Sequence, residues 1–307
     1  MLRGHARAPD AGTLRPCHCC GEPSVLARRF VVRGHDIVRC GRCGLQYVNR
    51  LPSPGELDKI YGAEFFAVGR KFEDDDRSPG MINAHARVDA MGKLPNVGWE
   101  RWLDVGCATG QFLLCAAGRA GSVQGVELSP AAAARAAERG LDVAVGDFLE
   151  VPVPANGFDV VSMWDYIEHV PDPVAHLRRA SDALRPGGYL ALSTGNVDSL
   201  MAGITGRYWH LMIPPRHLYF FAPATIARLL AAAGFDLVEI GTPGKRVPLD
   251  FLAWKLTWLA VPAIAPRVVA LSERIGLGRL APRVNLRDIM TVYARKPEAA
   301  SVSGNAS

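Results

Sequence analysis

Arg101-Trp102-Leu103-Asp104-Val105-Gly106-Cys107-Ala108-Thr109-Gly110 decides how the rest of the chain is read. A short run of strand character carries an acid and ends in a glycine-bearing turn, and a helical stretch follows. Such a turn lets a ligand approach the backbone closely. The spacing is not the G-x-G-x-x-G of a dinucleotide site: no third glycine follows at that interval, and Asp104 precedes the turn. A carboxylate there repels a pyrophosphate and suits a cationic ammonium group. Outward from this stretch, strand-like runs recur at Val123–Glu127, Val143–Asp147, Phe158–Trp164, Tyr189–Thr194, Leu237–Ile240 and Met290–Arg295. Helical stretches separate them: Ser129-Pro130 is an N-cap and first-turn proline before an Ala-rich run to Gly140, and Pro223 opens a helix ending at Gly234. This alternation predicts a parallel sheet covered on both faces.

The ends of the first three strands carry acids. Asp104 suits an ammonium group, Glu127 can accept both hydroxyls of a ribose, and Asp147 can accept from an adenine amine while Phe148 packs on the ring. Together they describe a ligand with an amino-acid end, a ribose and an adenine.

Composition sets the outer bounds. The chain has 307 residues, 49% hydrophobic and 21% charged, which excludes fibrous and wholly disordered classes. No run of about 18 uncharged apolar residues predicts a membrane span, and the first residues lack the apolar core of a secretory signal. The net charge of +5 divides unevenly: residues 1–50 hold nine Arg and three acids, a net of +6, and the remainder comes to −1. A basic end is either a nucleic-acid face or solvated surface.

Five of the seven cysteines fall within residues 17–43. Cys17-x-x-Cys20-Gly21 and Cys40-x-x-Cys43-Gly44 form two knuckles, each able to bite one metal ion, and a closed four-thiolate site is structural zinc. Phe30–Arg39 between them reads as a hairpin with Gly34 near its tip, and His18 and Cys19 lie beside the ligands. Clustered thiols without a secretory signal point to a reducing, cytoplasmic compartment. The expected organisation is a flexible lead (1–14), a zinc ribbon (15–50), a helical linker or lid (51–95), a main domain (96–296) with insertions at 197–221 and 243–288, and a disordered tail (297–307). Ser78-Pro79-Gly80, after the acidic run at 73–76, reads as an exposed loop. Residues 249–270 read as a helical cap, with an interfacial helix or a greasy lid, suited to a lipid-like acceptor, as the alternative.

LDVGCATG (103–110), VELSP (126–130), GDF (146–148), FDVVSMWDYIEHV (158–170) and LRPGGYLALST (184–194) resemble the class I S-adenosylmethionine-dependent methyltransferases. The N-terminal CxxCG…CxxCGLQYVNRLPSPGELDKIYG is similar to their zinc-ribbon subgroup, near the ubiquinone-biosynthesis O-methyltransferase type. The resemblance implies a Rossmann-like α/β fold with a seven-stranded sheet whose last strand is antiparallel. It places S-adenosylmethionine against Asp104, Gly106, Cys107, Ala108, Gly110, Glu127, Leu128, Asp147, Phe148 and Trp164. Ala108 stands where many relatives carry Gly, and a positive φ there costs about 1 kcal/mol. It implies methyl transfer to a small molecule, with oxygen favoured.

Asp165, Glu168 and His169, at i, i+3 and i+4, are expected to share one face of a helical turn. Three roles are open for them: His169 as general base, the three as ligands of a divalent ion, or a helix cap packed on the sheet. The metal role is what the resemblance implies, with Asp165 in place of a Glu. His217, with His210 and several aromatics in 197–221, is a second candidate base. Two rival readings stand: an RNA methyltransferase, since a group methylating guanine in ribosomal RNA also carries an N-terminal zinc module, and a non-catalytic scaffold that binds S-adenosylmethionine.

Overall fold

The computed structural model describes residues 15–21, 26–53, 55–56, 78–250, 252–253, 257 and 264–298. The lead at 1–14, the acidic run at 73–76, much of the apolar 249–270 stretch and the tail beyond residue 298 lie outside the described residues. The main sheet has seven strands in the order β10-β13-β8-β7-β4-β5-β6. These are β4 (Arg101–Val105), β5 (Ser122–Glu127), β6 (Asp142–Val145), β7 (Phe158–Trp164), β8 (Leu184–Gly195), β10 (Asp236–Gly241) and β13 (Ile289–Arg295). β13 runs antiparallel between β8 and β10, and all the other strands are parallel. β7 is buried along its whole length, Asp159 and Ser162 included, as a strand in the middle of a covered sheet should be, whereas the edge strand β6 is short and mostly exposed.

Helices fill both faces. α1 (Pro79–Met91) and α2 (Gln111–Ala117) pack Met81, Val88 and Phe112 against Trp102, Val160 and Tyr189. On the other face α4 (Pro173–Ala183) and α6 (Pro223–Ala232) bury Leu177, Ile226 and Leu229 against Val161 and Leu190. α3 (Pro130–Glu138) begins as its sequence dictates, with Ser129 Oγ accepting from Ala132 N and proline in the first turn. Ser78-Pro79 does the same for α1, so the expected exposed loop is a helix start and Ser78 is buried. Serine before proline serves a turn and a helix N-terminus equally, and the apolar face of 81–91 decides for the helix.

A second sheet is built around the cysteines. β1 (Leu26–Val32) and β2 (His35–Cys40) form a hairpin turning at Arg33-Gly34, and β3 (Gln46–Val48) joins β2. The fourth strand, β9 (Tyr219–Phe220), comes from the insertion at 197–221 and pairs with β3. Cys17, Val38, Cys40, Leu45 and Tyr47 share one buried cluster with α4, α6 and the main sheet. Arg15 clamps the joint: its guanidinium donates to Tyr219 Oη at 3.0 Å and to Val48 O at 2.9 Å, while Tyr47 Oη donates to Arg15 O at 2.7 Å. The insertion also supplies α5 (Leu200–Thr205). The 243–288 insertion supplies β11 (Lys245–Arg246), α7 (Ala265–Arg274) and β12 (Arg283–Val284). Among the described residues no helix is long and apolar enough to cross a membrane.

Candidate functional site

A cavity of about 320 Å³ opens at the C-terminal ends of β4, β5, β6 and β7, the place where open α/β sheets bind ligands. The turn after β4 forms one wall. Gly106 has φ +72°, and a Cβ there would meet Tyr166 Cδ2 at 2.5 Å, so this position needs glycine for both reasons. Ala108 takes φ +49° and lines the cavity. Cys107 and Gly110 do not line it. The Cys107 side chain turns inward beside Leu113 and Leu141, and Gly110 lets α2 close on Leu141, whose Cδ1 would lie 2.2 Å from an added Cβ. These two residues therefore shape the turn without forming a wall of the cavity.

Glu127 is buried on the cavity wall. Its carboxylate accepts from Ser129 N at 2.8 Å and Ala108 N at 2.9 Å, which pins it while leaving lone pairs for two hydroxyls. Burial raises its pKa despite those bonds. Asp147, Phe148 and Leu128 line the same cavity, Leu128 from its exposed mouth. Trp164 lines it too, with a buried indole N–H that has no hydrogen-bond partner among the described residues. Asp104 is not on the wall. It is buried beneath, accepting from Ser162 Oγ at 2.6 Å, and burial pushes it up to about 7. Two of the three strand-end acids thus face the cavity. A glycine turn, a pinned carboxylate, an orphaned indole donor and an apolar face fit a nucleoside joined to an amino acid.

Residues 165–169 do not form the expected helical turn. The chain takes a left-handed step at Asp165, φ +51°, and Asp165 does not join the group of possible ligand atoms that Glu168 and His169 form. It accepts from Ser193 Oγ at 2.9 Å, Arg87 Nη2 at 3.0 Å and Lys245 Nζ at 3.1 Å. Burial opposes ionisation there, but Lys245 and Arg87 overcome it and hold Asp165 below the usual carboxylate range. The group that does converge is Glu168, His169 and His217, whose ligand atoms lie within 4.8 Å of one another. His169 Nδ1 donates to Arg216 O at 3.0 Å and His217 Nδ1 to Leu211 O at 2.8 Å, which fixes the orientation of both rings, and the Asp165 backbone is a further partner of His169. The rings meet edge to face at 4.7 Å. Burial lowers His169 to about 4 and His217 to about 3, and burial with the Asp165 charge raises Glu168 to about 8. Among the described residues the buried Glu168 Oε2 has no hydrogen-bond partner. Of this trio, only His169 lines the cavity.

Four residues here carry no sequence signal. Arg87, on α1, lies over the Trp164 ring at 4.5 Å, and Lys245 comes from β11. His176 Nδ1 bonds Tyr166 Oη at 2.9 Å, and both line the cavity. A second, larger cavity of about 810 Å³ lies between the β1–β2 hairpin and the two insertions.

Among the cysteines, Cys17, Cys20, Cys40 and Cys43 bring their sulfurs within 4.8 Å of one another. Each knuckle closes alike, Gly21 N donating to Cys17 O at 2.7 Å and Gly44 N to Cys40 O at 2.8 Å, with both glycines at positive φ. His18 faces Asp172 and Tyr219, and Cys19 falls outside this group of four.

The chain belongs to a methyltransferase family: residues 63–240 match the family described as "Methyltransferase domain". It is an S-adenosylmethionine-dependent methyltransferase. It is 32% identical over 170 residues to a ubiquinone biosynthesis O-methyltransferase of Xylella fastidiosa, covering 50% of this chain and 68% of that one. The corresponding enzyme of Chromobacterium violaceum is 30% identical over 211 residues, covering 61% and 88%. Among solved structures, magnesium protoporphyrin IX methyltransferase from Synechocystis, with bound S-adenosylhomocysteine, has a TM-score of 0.54 at 13% identity over 80% of this chain and all of that one. The [4+2]-cyclase SpnF has a TM-score of 0.53 at 22% identity, over 81% and 98%. These two share the fold with this chain.

Proposed function

We propose that the chain methylates an oxygen of a small-molecule acceptor and that His169 manages the acceptor's proton. One observation carries the reading: at the mouth of the cofactor cavity His169 is neutral and oriented by a backbone carbonyl, with a second neutral imidazole, His217, against it. The relatives named as ubiquinone biosynthesis O-methyltransferases support oxygen. Glu127 holds the ribose, Asp147, Phe148 and Leu128 the adenine, and Gly106, Ala108 and Trp164 the amino-acid end. S-adenosylmethionine supplies a methyl group already activated on a sulfonium. The acceptor hydroxyl loses its proton to an imidazole nitrogen as the oxygen forms its bond to the methyl carbon, and the thioether departs neutral. Positioning supplies much of the remaining rate.

A divalent ion on Glu168, His169 and His217 is the second reading, favoured by the orphaned Glu168 Oε2 beside two imidazoles. Here His217 takes the place expected of Asp165, whose charge is already satisfied by Arg87 and Lys245. A zinc ion on Cys17, Cys20, Cys40 and Cys43 fits the ribbon: thiolates ~2.3 Å from a tetrahedral ion stand ~3.8 Å apart. The Cys17–Cys43 and Cys20–Cys40 sulfurs are 3.4 Å apart.

Methyl-labelled S-adenosylmethionine, incubated with the protein, total RNA and a small-molecule extract, tests the reading. Label is expected in low-mass material. His169→Ala should lower turnover by about 10²–10⁴ while calorimetric cofactor affinity holds. Glu127→Ala should cost cofactor binding about 1–3 kcal/mol. Label in RNA, or full turnover in His169→Ala, overturns the assignment. Recovery of turnover on adding magnesium or manganese selects the metal reading.

A further inference from the structure

The two cavities carry opposite charge. Glu127, Asp147 and Asp165 line the cofactor cavity, which suits a cationic sulfonium and ammonium. The larger cavity is walled mainly by apolar side chains, among them Val32, Met201, Met212 and Leu252. Among the described residues its charged lining is Arg33, Arg207, Lys245 and Arg287 against the single acid Asp288. Asp288 is already engaged, accepting from Trp209 Nε1 at 3.2 Å and facing His210 Nδ1 at 3.4 Å. Lys245 is spent on Asp165, and Arg207 donates to Tyr208 Oη. The Arg33 and Arg287 guanidiniums have no partner among the described residues. Cations beside low-dielectric walls focus a field that favours an anion.

The two cavities adjoin: Lys245 lines the larger and Asp165 the smaller, paired at 3.1 Å, and the segment 211–217 places Met212 and Ile213 on the larger cavity while its Leu211 and Arg216 carbonyls accept from the two candidate base histidines. We propose that the larger cavity binds the methyl acceptor and that the acceptor is an anionic amphiphile. Its apolar body fills the cavity. Its carboxylate, sulfonate or phosphate meets Arg33 and Arg287, and its hydroxyl reaches past Lys245 to His169. At about 810 Å³ the space lies within the usual range for a drug-sized ligand. Arg33 stands at the tip of the β1–β2 hairpin, so the ribbon selects the substrate. The proposal rests on the small-molecule reading, and a direct binding test separates the two because it needs no turnover.

Two fluorescent probes of similar apolar body would be titrated into the full chain: anilinonaphthalene sulfonate, which is anionic, and phenylnaphthylamine, which is neutral. The double variant Arg33→Ala/Arg287→Ala should weaken the sulfonate about tenfold and leave the neutral probe unchanged. Leu286→Trp, which fills the cavity from an exposed lining position, should weaken both. Calorimetric affinity for S-adenosylmethionine should be unchanged in every variant, which confirms that each is folded. Equal loss of both probes in the arginine variant, or undiminished binding of both in Leu286→Trp, overturns the proposal. If the probes behave as expected while label from the turnover experiment goes to RNA, the small-molecule reading fails and the cavity assignment survives as a ligand site.

Discussion

Asp159 shows how a single buried carboxylate couples this fold to pH. It accepts from Glu100 N and Arg101 N, both at 2.9 Å, and is paired with Arg185. Burial opposes its charge, but the backbone donors and Arg185 overcome that and set its pKa below the ordinary value. The folded state therefore binds a proton less readily than the unfolded chain. The stabilisation is present above the unfolded pKa of ~3.9 and is lost as the pH falls through the lower folded value. Asp159→Asn should cost about 1–3 kcal/mol at pH 7, read from urea denaturation, and the difference from wild type should shrink towards pH 3. A gap that stays constant from pH 7 to 3 would show that the carboxylate charge contributes nothing. At this scale the cavity-lining residues were legible where motif and strand end coincide, as at Glu127. Asp165 was not, because i, i+3, i+4 spacing presumes a helix and the chain takes a left-handed step there.

The strand β9 has two residues, yet it connects the cysteine sheet to the segment that carries His217. His217 lies two positions before Tyr219, which pairs with Tyr47. Removing a zinc ion held by the four cysteines should release the knuckles, free β3 and loosen β9. The cofactor cavity, formed by β4 to β7, should be spared. A chelator is thus expected to lower the melting temperature and abolish methyl transfer while calorimetric affinity for S-adenosylmethionine stays within about threefold. Unchanged turnover after complete zinc removal would sever this link. The sequence showed the hairpin and both knuckles, since glycine after CxxC is a local signal. It could not show that the fourth strand lies some 170 residues further on, because the pairing of Gln46 with Phe220 is tertiary and a two-residue strand has no periodicity. β6 and β8 were placed with ends shifted by one to five residues, as their flanks, Gly146-Asp147 and Leu184–Gly188, carry turn signals.

Taken whole, the molecule is an α/β sheet with its ribbon sewn into one helical layer. Tyr47, Leu218, Tyr219 and Phe221 are all 1% exposed or less, and Arg15 is 6% exposed between the two parts. A fragment of residues 51–307 loses Arg15 and Tyr47 and uncovers Leu218, Tyr219 and Phe221. At about 1.5–3 kcal/mol per buried large side chain, and roughly 2–4 °C per kcal/mol, it should melt at least about 10 °C below the full chain. Differential scanning calorimetry on both forms would show this, and equal melting temperatures would mean that the ribbon is an independent attachment. The alternation of strands and helices was enough to read a parallel sheet covered on both faces, while the antiparallel last strand followed from the family resemblance and the strand order from the structure. The clamp at Arg15 was not, because an arginine at the end of a basic lead looks like solvated surface until Tyr219 and Val48 are seen around it.

That clamp also bears on how such a chain can be remade by recombination. A crossover between ribbon and catalytic half separates Arg15 and Tyr47 from Tyr219, which were fitted to one another. A chimera that trades ribbons must carry all three across together, or it inherits a cationic plug without its socket.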